Sequence, residues 1–240
     1  MSPSTTWRII YDSPADGSWN MAVDEAILES CLNHSSFPTL RLYAWQPACL
    51  SLGYSQPFSD VDLASIHHNG WQLVRRPTGG RAILHVDELT YSITGLLTEP
   101  ALSGSLLDSY AHISKALQLA LEMLGVQTLA DEKYSLPEGS HPKGAVCFEV
   151  PSNYEITANG RKLIGSAQAR RKNGLLQHGT LPLQGDLTRI TRALTSQDDE
   201  SRQLAAERVL QRATTLELLT GRVASWSGAA AAFEQAFSTV

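Results

Sequence analysis

The 240-residue chain has only three cysteines, Cys31, Cys49 and Cys147, odd in number and far apart. That argues against a disulfide framework, and no C-x-x-C pair or grouped His/Cys spacing offers a zinc site. No apolar run approaches the ~20 residues that a membrane helix needs. The start, MSPSTTWRII, lacks the basic head, long apolar core and cleavage site of a secretory signal, so a cytoplasmic protein is expected. Positive charge is scarce too. With 19 Lys and Arg against 24 Asp and Glu the net charge is −5, which argues against sequence-independent nucleic-acid binding. There is no P-loop spacing, no repeat and no interdomain linker. What is present is ordinary globular composition, 42% hydrophobic and 18% charged, enough for one large domain over residues 1–240. The few cations are concentrated. Arg161, Lys162, Arg170, Arg171 and Lys172 fall within twelve residues, and Arg75, Arg76 and Arg81 within seven, so an anionic partner is expected there.

Along the chain, WRIIY at residues 7–11 reads as a strand ended by the turn-forming SPADGS. A helix follows, with Asn20 as its N-cap and Val23, Ala26, Ile27 and Cys31 on one face. Cys31 on that stripe reads as a core thiol. TLRLYAW and ACLSL are strands, and a helix start is expected near Asp60. WQLVRR enters the PTGG turn, RAILH leaves it, and ELTYSITGLL is a further strand. Residues 105–124 give the clearest helix, with Ile113, Ala116, Leu117, Ala120, Leu121 and Leu124 in one stripe and Gly125 just past the end. Residues 131–143 read as a loop. YEIT and KLIG flank Ala-Asn-Gly-Arg, where Asn-Gly favours the positive φ of a tight hairpin. GLLQHGTLPL is another strand. From Asp186 onward the pattern is helical, with Leu204, Val209 and Leu210 in one segment and residues 226–237 in another. Strands and helices interleave without a βαβ period, so the expected class is α+β with a mixed, largely antiparallel sheet.

Three stretches could carry chemistry. In RRPTGGRAILH, Gly79 and Gly80 let backbone amides approach a ligand, while Arg75, Arg76, Thr78, Arg81 and His85 can hold a phosphate or carboxylate. The plainer reading is a tight hairpin with solvated arginines. Cys147 sits between apolar residues after a Gly- and Pro-containing loop, fifteen residues before Lys162. A hairpin over residues 154–165 brings Lys162 back beside the preceding strand, where an ammonium would favour a thiolate. The plain alternatives are a buried inert thiol and an edge lysine in water. Gly165, Ser166 and Ala167 are small enough for a ligand, or another strand, to lie against the backbone. His85 and His178 are possible general bases, although neither shows a carboxylate partner close in sequence.

Taken together, NMAVDEAIL, RRPTGGRAILH, ELTYSI, CFEVPSNYEIT, GRKLIGSAQARR and LLQHGTLPL resemble the family of lipoate–protein ligases and octanoyltransferases, whose catalytic domain is shared with biotin ligases. The pieces stand in family order over a core of residues 7–185. The resemblance implies a larger mixed sheet, a smaller sheet, packed helices and a tunnel for an eight-carbon acyl chain. Leu73, Val74, Ile83 and Leu84 are its expected apolar lining. Arg81 in place of a third glycine, and Cys147 before F-E-x-P-S, look like octanoyltransferases of the LipM type. That type implies Cys147 as the acyl-thioester nucleophile and Lys162 as the cation that lowers its pKa; the expected substrate-binding positions are Arg75, Arg76, Thr78, Gly79, Gly80, Arg81, His85, Gly165, Ser166, Ala167 and His178. It also implies octanoyl-acyl carrier protein as donor, a lipoyl domain or the glycine-cleavage H protein as acceptor, a monomer, and no metal or nucleotide. ATP and magnesium enter only if the chain acts as a lipoate ligase. Residues 186–240 are expected to be a helical extension, too short for a ligase accessory domain.

Overall fold

The computed structural model describes residues 6–130 and 155–240. Among the described residues ten strands form two sheets. The larger runs β1 (Arg8–Tyr11), β2 (Thr39–Tyr43), β6 (Glu88–Leu96), β10 (Gly174–Pro182), β9 (Arg161–Arg171), β8 (Ile156–Ala158) and β7 (Leu129–Ala130) in spatial order. The β1–β2 pair is parallel and the other pairs are antiparallel, so the sheet is mixed. The smaller sheet places β3 (Cys49–Leu52) between β4 (Gln72–Arg75) and β5 (Ile83–His85). The fold class is α+β, as the interleaved pattern implies.

The large sheet is covered on both faces, which explains why β2 is buried at all five positions rather than at alternate ones. One face, carrying Leu40, Leu42, Leu89, Tyr91 and Ile93, packs on α3 (Leu106–Met123) and α6 (Trp226–Thr239) through Ile113, Leu117 and Phe233. The other face carries Arg41, Tyr43 and Ser92 towards α1 (Gly17–Leu32). Residues 186–240 join this core directly: Leu216, Ala229, Ala230, Phe233 and Ala236 share it with Leu40. The small sheet has its own apolar cluster, where Leu50 and Ile83 meet Ile66 of α2 (Leu63–His68) and Val209 of α4 (Asp199–Arg212). Between α4 and α6 lies the short α5 (Leu216–Thr220). Among the described residues, no helix is long and apolar enough to cross a membrane.

Local chemistry sets the element ends. In α3, Ser105 accepts from the Asp108 amide while Asp108 accepts from the Ser105 amide, a reciprocal cap, and Gly125 turns the chain out at φ +87°. Asn159 and Gly160 take φ values of 51° and 72° between β8 and β9, the two positive angles that a tight hairpin needs. The N-cap of α1 is Asp16, not Asn20. Asn20 already lies inside the helix, and its amide bridges the carbonyls of Ala15 and Ala44. The buried face of α1 runs through Met21, Asp24, Ile27, Leu28 and Cys31, so Ala26 points to solvent. In α4 only Val209 is buried, with Leu204 and Leu210 about half exposed.

The PTGG segment is not a hairpin turn. β4 and β5 do not pair with each other; both pair with β3, one parallel and one antiparallel, so residues 76–82 cross over its end. Gly53 closes this crossing, because a Cβ there would stand 1.9 Å from the Gly80 carbonyl oxygen. Arg76 ties the loop from within. It is 3% exposed and donates to the carbonyls of Ser51, Gly79 and Arg81.

Candidate active site

A cavity of about 330 Å³ opens where the two sheets and the first turn of α3 meet. Tyr43, Trp45, Met21 and Ile83 give one apolar side, and Leu106, Leu107 and Tyr110 of α3 give another. Leu106 and Leu107 are 44% and 45% exposed, so they reach solvent as well as the cavity. Of the expected apolar lining only Ile83 is on the wall. Leu73 and Leu84 pack on the small-sheet cluster, and Val74 packs against the group of Met21, Tyr43 and Cys49.

Most of the substrate-binding positions read from the sequence converge here. Arg76, Gly79, Gly80, Arg81 and His85 line the cavity from the small-sheet side, and Gly165, Ser166, Ala167 and His178 line it from β9 and β10. Thr78 stands behind His178, its Oγ1 2.6 Å from Nε2. Arg75 is off the wall, with Nη1 donating to the carbonyls of Gly53, Tyr54 and Gln56. Arg170 similarly clamps Gly104 and Ser105 at the head of α3. These two arginines act first as backbone clamps rather than solvated cations.

Both histidines have carboxylate partners: that of His178 is far away in the chain, whereas that of His85 stands three residues on, contrary to the expectation from sequence. The chain turns at Asp87, with φ 52°, and returns Glu88 to His85: Oε1 lies 2.7 Å from Nδ1. On its other side His85 Nε2 meets Ser51 Oγ at 2.7 Å, and Ser51 Oγ accepts from Arg76 Nη1 at 3.1 Å. With a proton on Nδ1 facing the carboxylate, Nε2 accepts from Ser51. The ring stacks on Trp45 with centroids 4.0 Å apart.

His178 faces Asp24, with Nδ1 3.5 Å from Oδ2. Asp24 has no solvent access, and it accepts from Arg41 Nη1 at 2.8 Å, Tyr43 at 2.9 Å and Ser92 at 2.7 Å. Burial alone would raise its carboxyl pKa. The His178 contact, the Arg41 charge and Ser92 outweigh burial and hold it below the usual value. For His178, burial acts downward and Arg76 and His85 add to it, so despite Asp24 the imidazole titrates below its ordinary range and is neutral near pH 7. Cys49 is inert by the same physics: burial, then Asp16 and Glu88, push its thiol up to about 12.

Lys162 is not an edge lysine in water. It rises from β9 opposite Thr157, is 5% exposed, and pairs with the carboxylate of Glu155, which lies on the cavity wall. Cys147, the thiol that the sequence reading expects beside it, lies outside the described residues. Asp24, Arg41, Trp45, Ser51 and Glu155 are site or support residues that sequence reading passed over. The available signal was charge on inward positions: Asp24 interrupts the apolar stripe of α1, and Arg41 the apolar run of β2. Among the described residues no group of three or more His, Cys, Asp or Glu could hold a metal ion. Chemically, the cavity offers an apolar bed, a buried guanidinium, neutral imidazole and the Glu155 carboxylate, which pairs with the buried amine of Lys162. That set suits an uncharged chain ending in a carbonyl on which negative charge develops.

The family model "Lipoyl protein ligase A/B catalytic domain" matches residues 16–238. The octanoyltransferase LipM of Carboxydothermus hydrogenoformans is 42% identical over 234 residues, covering 97% of this chain and 86% of that protein. That of Moorella thermoacetica is 40% identical over 223 residues, covering 92% and 81%. Among solved structures, the bipartite lipoate protein ligase of Thermoplasma acidophilum superposes with a TM-score of 0.77 at 22% identity, covering 98% of this chain and 84% of that one, a likeness of fold.

Proposed function

The chain belongs to the lipoyl protein ligase A/B catalytic-domain family as one of its transferases, and we propose that it transfers an octanoyl group through a thioester on Cys147. The observation that carries this reading is the 42% identity to an octanoyltransferase along 97% of the chain. The donor is octanoyl-acyl carrier protein, and the acceptor is a lysine of a lipoyl domain or of the glycine-cleavage H protein.

Two steps complete the transfer. The Cys147 thiolate attacks the carbonyl carbon of the donor thioester; a new C–S bond forms, the old one breaks, and the carrier thiolate leaves and takes up a proton. The neutral acceptor amine then attacks the enzyme thioester; a C–N bond forms, the Cys147 thiolate leaves, and the amine gives up a proton. Thioester to thioester to amide runs downhill, so neither ATP nor a metal is needed. Lys162 favours the thiolate and offsets charge on the carbonyl oxygen. The apolar wall of Met21, Trp45, Ile83, Leu106 and Leu107 accepts the chain. Cationic residues around Arg81 and Arg171 attract the acidic surface of a carrier protein.

Intact mass spectrometry tests the reading. Incubation with octanoyl carrier protein, without ATP, should add one octanoyl group to the wild type and none to Cys147→Ala. Full ATP-free activity in Cys147→Ala refutes the mechanism, and pyrophosphate release with free octanoate or lipoate identifies a ligase instead.

A further inference from the structure

We propose that Glu155 is a positioning residue of this site: paired with Lys162, it keeps the ammonium charged and aimed within a buried wall of the cavity. The inference rests on the reading of Lys162 as the cation that serves Cys147. The geometry carries it. Side-chain exposure is 5% for Lys162 and 8% for Glu155, so both charges have left water together. A buried ammonium tends to give up its proton, and a carboxylate in direct contact reverses that tendency.

The chain is shaped to make this pair. The Asn159–Gly160 turn folds β9 back along β8, and the pairing register slips between Ile156 and Thr157, next to Glu155. Gly165 leaves space for the end of the Lys162 side chain. Among the described residues, titratable groups on the surrounding elements are Arg76, Arg81, His178 and Tyr110 along the cavity, Arg161, Arg170 and Arg171 on β9, and Asp199, Glu200, Arg202, Glu207, Arg208 and Arg212 on α4, which packs against β9. Among these described groups cations predominate, and a like charge disfavours an ammonium just as burial does. Glu155 opposes both effects.

The test is the pH dependence of octanoyl-adduct formation, from about pH 5.5 to about pH 10, in wild type, Glu155→Gln and Glu155→Asp. Removing a carboxylate in contact should move the alkaline limb of Glu155→Gln down by about one pH unit or more. On the alkaline side, a one-unit move costs about tenfold in rate at a given pH. Glu155→Asp keeps the charge with a shorter reach and should place the limb between the two, which preserves the test if the Gln variant folds poorly. A purely structural role scales the rate equally at every pH. Superimposable or uniformly scaled profiles therefore overturn the inference. No adduct on wild type at any pH would instead sink the thioester reading, and the inference with it.

Discussion

Substituting Gly165 by alanine separates the chemistry from the fold. A Cβ at Gly165 would stand 2.8 Å from Lys162 Cε and 3.2 Å from Nζ. Ordinary carbon contacts lie at about 3.5–4.0 Å, so the tip of Lys162 must retreat by about 1 Å. Those atoms end a flexible side chain, and the backbone can stay where it is. Alanine in a strand recovers about 0.5–1 kcal/mol relative to glycine. An off-rotamer lysine costs about 0.5–1.5 kcal/mol in return. Stability should therefore change by less than about 1 kcal/mol. Activity should not escape, because a ~1 Å misplacement at a reacting centre can cost about 100-fold. Gly179 on the facing strand is the control. Its added Cβ would lie 2.6 Å from the Gly165 carbonyl oxygen, 2.7 Å from Tyr91 Cε1 and 2.9 Å from Ser166 Oγ, mostly atoms held by the sheet and core. Overpacking there should cost about 1–3 kcal/mol. Thermal melts together with octanoyl-loading rates distinguish the two variants: Gly165→Ala melts like wild type and loads slowly, whereas Gly179→Ala melts early. Wild-type loading by Gly165→Ala would mean that the Lys162 amine does not act from its observed position.

Three further outcomes follow from the buried charges and thiols. The folded-state pKa of His178 lies below its ordinary ~6.5, so its contribution to stability is complete above that pH and shrinks as pH falls towards the folded value. Melting temperature should therefore drop between about pH 7.5 and pH 5.5, with a shallower slope in His178→Gln; equal slopes would contradict the assignment. Asp24→Ala takes the fully buried acceptor from Arg41, Tyr43 and Ser92, leaving Arg41 its 2.6 Å pair with the partly exposed Asp12, and should cost about 3–5 kcal/mol by urea titration. Glu25→Ala, which removes only the half-exposed 3.6 Å pair with Arg171, should stay within about 1 kcal/mol. Cys31 is buried and the Cys49 thiol is pushed up to about 12, so iodoacetamide near pH 8 should leave both unmodified in the folded protein. Peptide mapping that finds rapid Cys49 alkylation would refute the burial argument.

The elements legible in the sequence are those whose cause is local. The Asn-Gly turn, the reciprocal cap of α3 with its terminal glycine, and the strands around RRPTGGRAILH each follow from a few neighbouring residues. The tertiary arrangement is another matter. PTGG reads as a hairpin because a turn between two strands is the local solution, whereas β3 inserts between β4 and β5 from a distant part of the chain. The charged site was hardest to see for a physical reason: charge is ordinarily solvated, so Asp24, Arg41 and Glu155 drew no notice and Lys162 had water as its plain alternative. In the fold each of these meets a complement from another segment. Arg41 finds Asp24, Lys162 finds Glu155 across the hairpin, and His85 finds Glu88 beyond the Asp87 turn. An isolated buried charge is too costly to persist, so a charge on the inward stripe of an otherwise apolar element implies an opposite charge on whatever packs against it. Applied to α1 and β2 alone, that rule pairs Asp24 with Arg41 and fixes which faces of helix and strand meet, and with them the wall on which His178 stands.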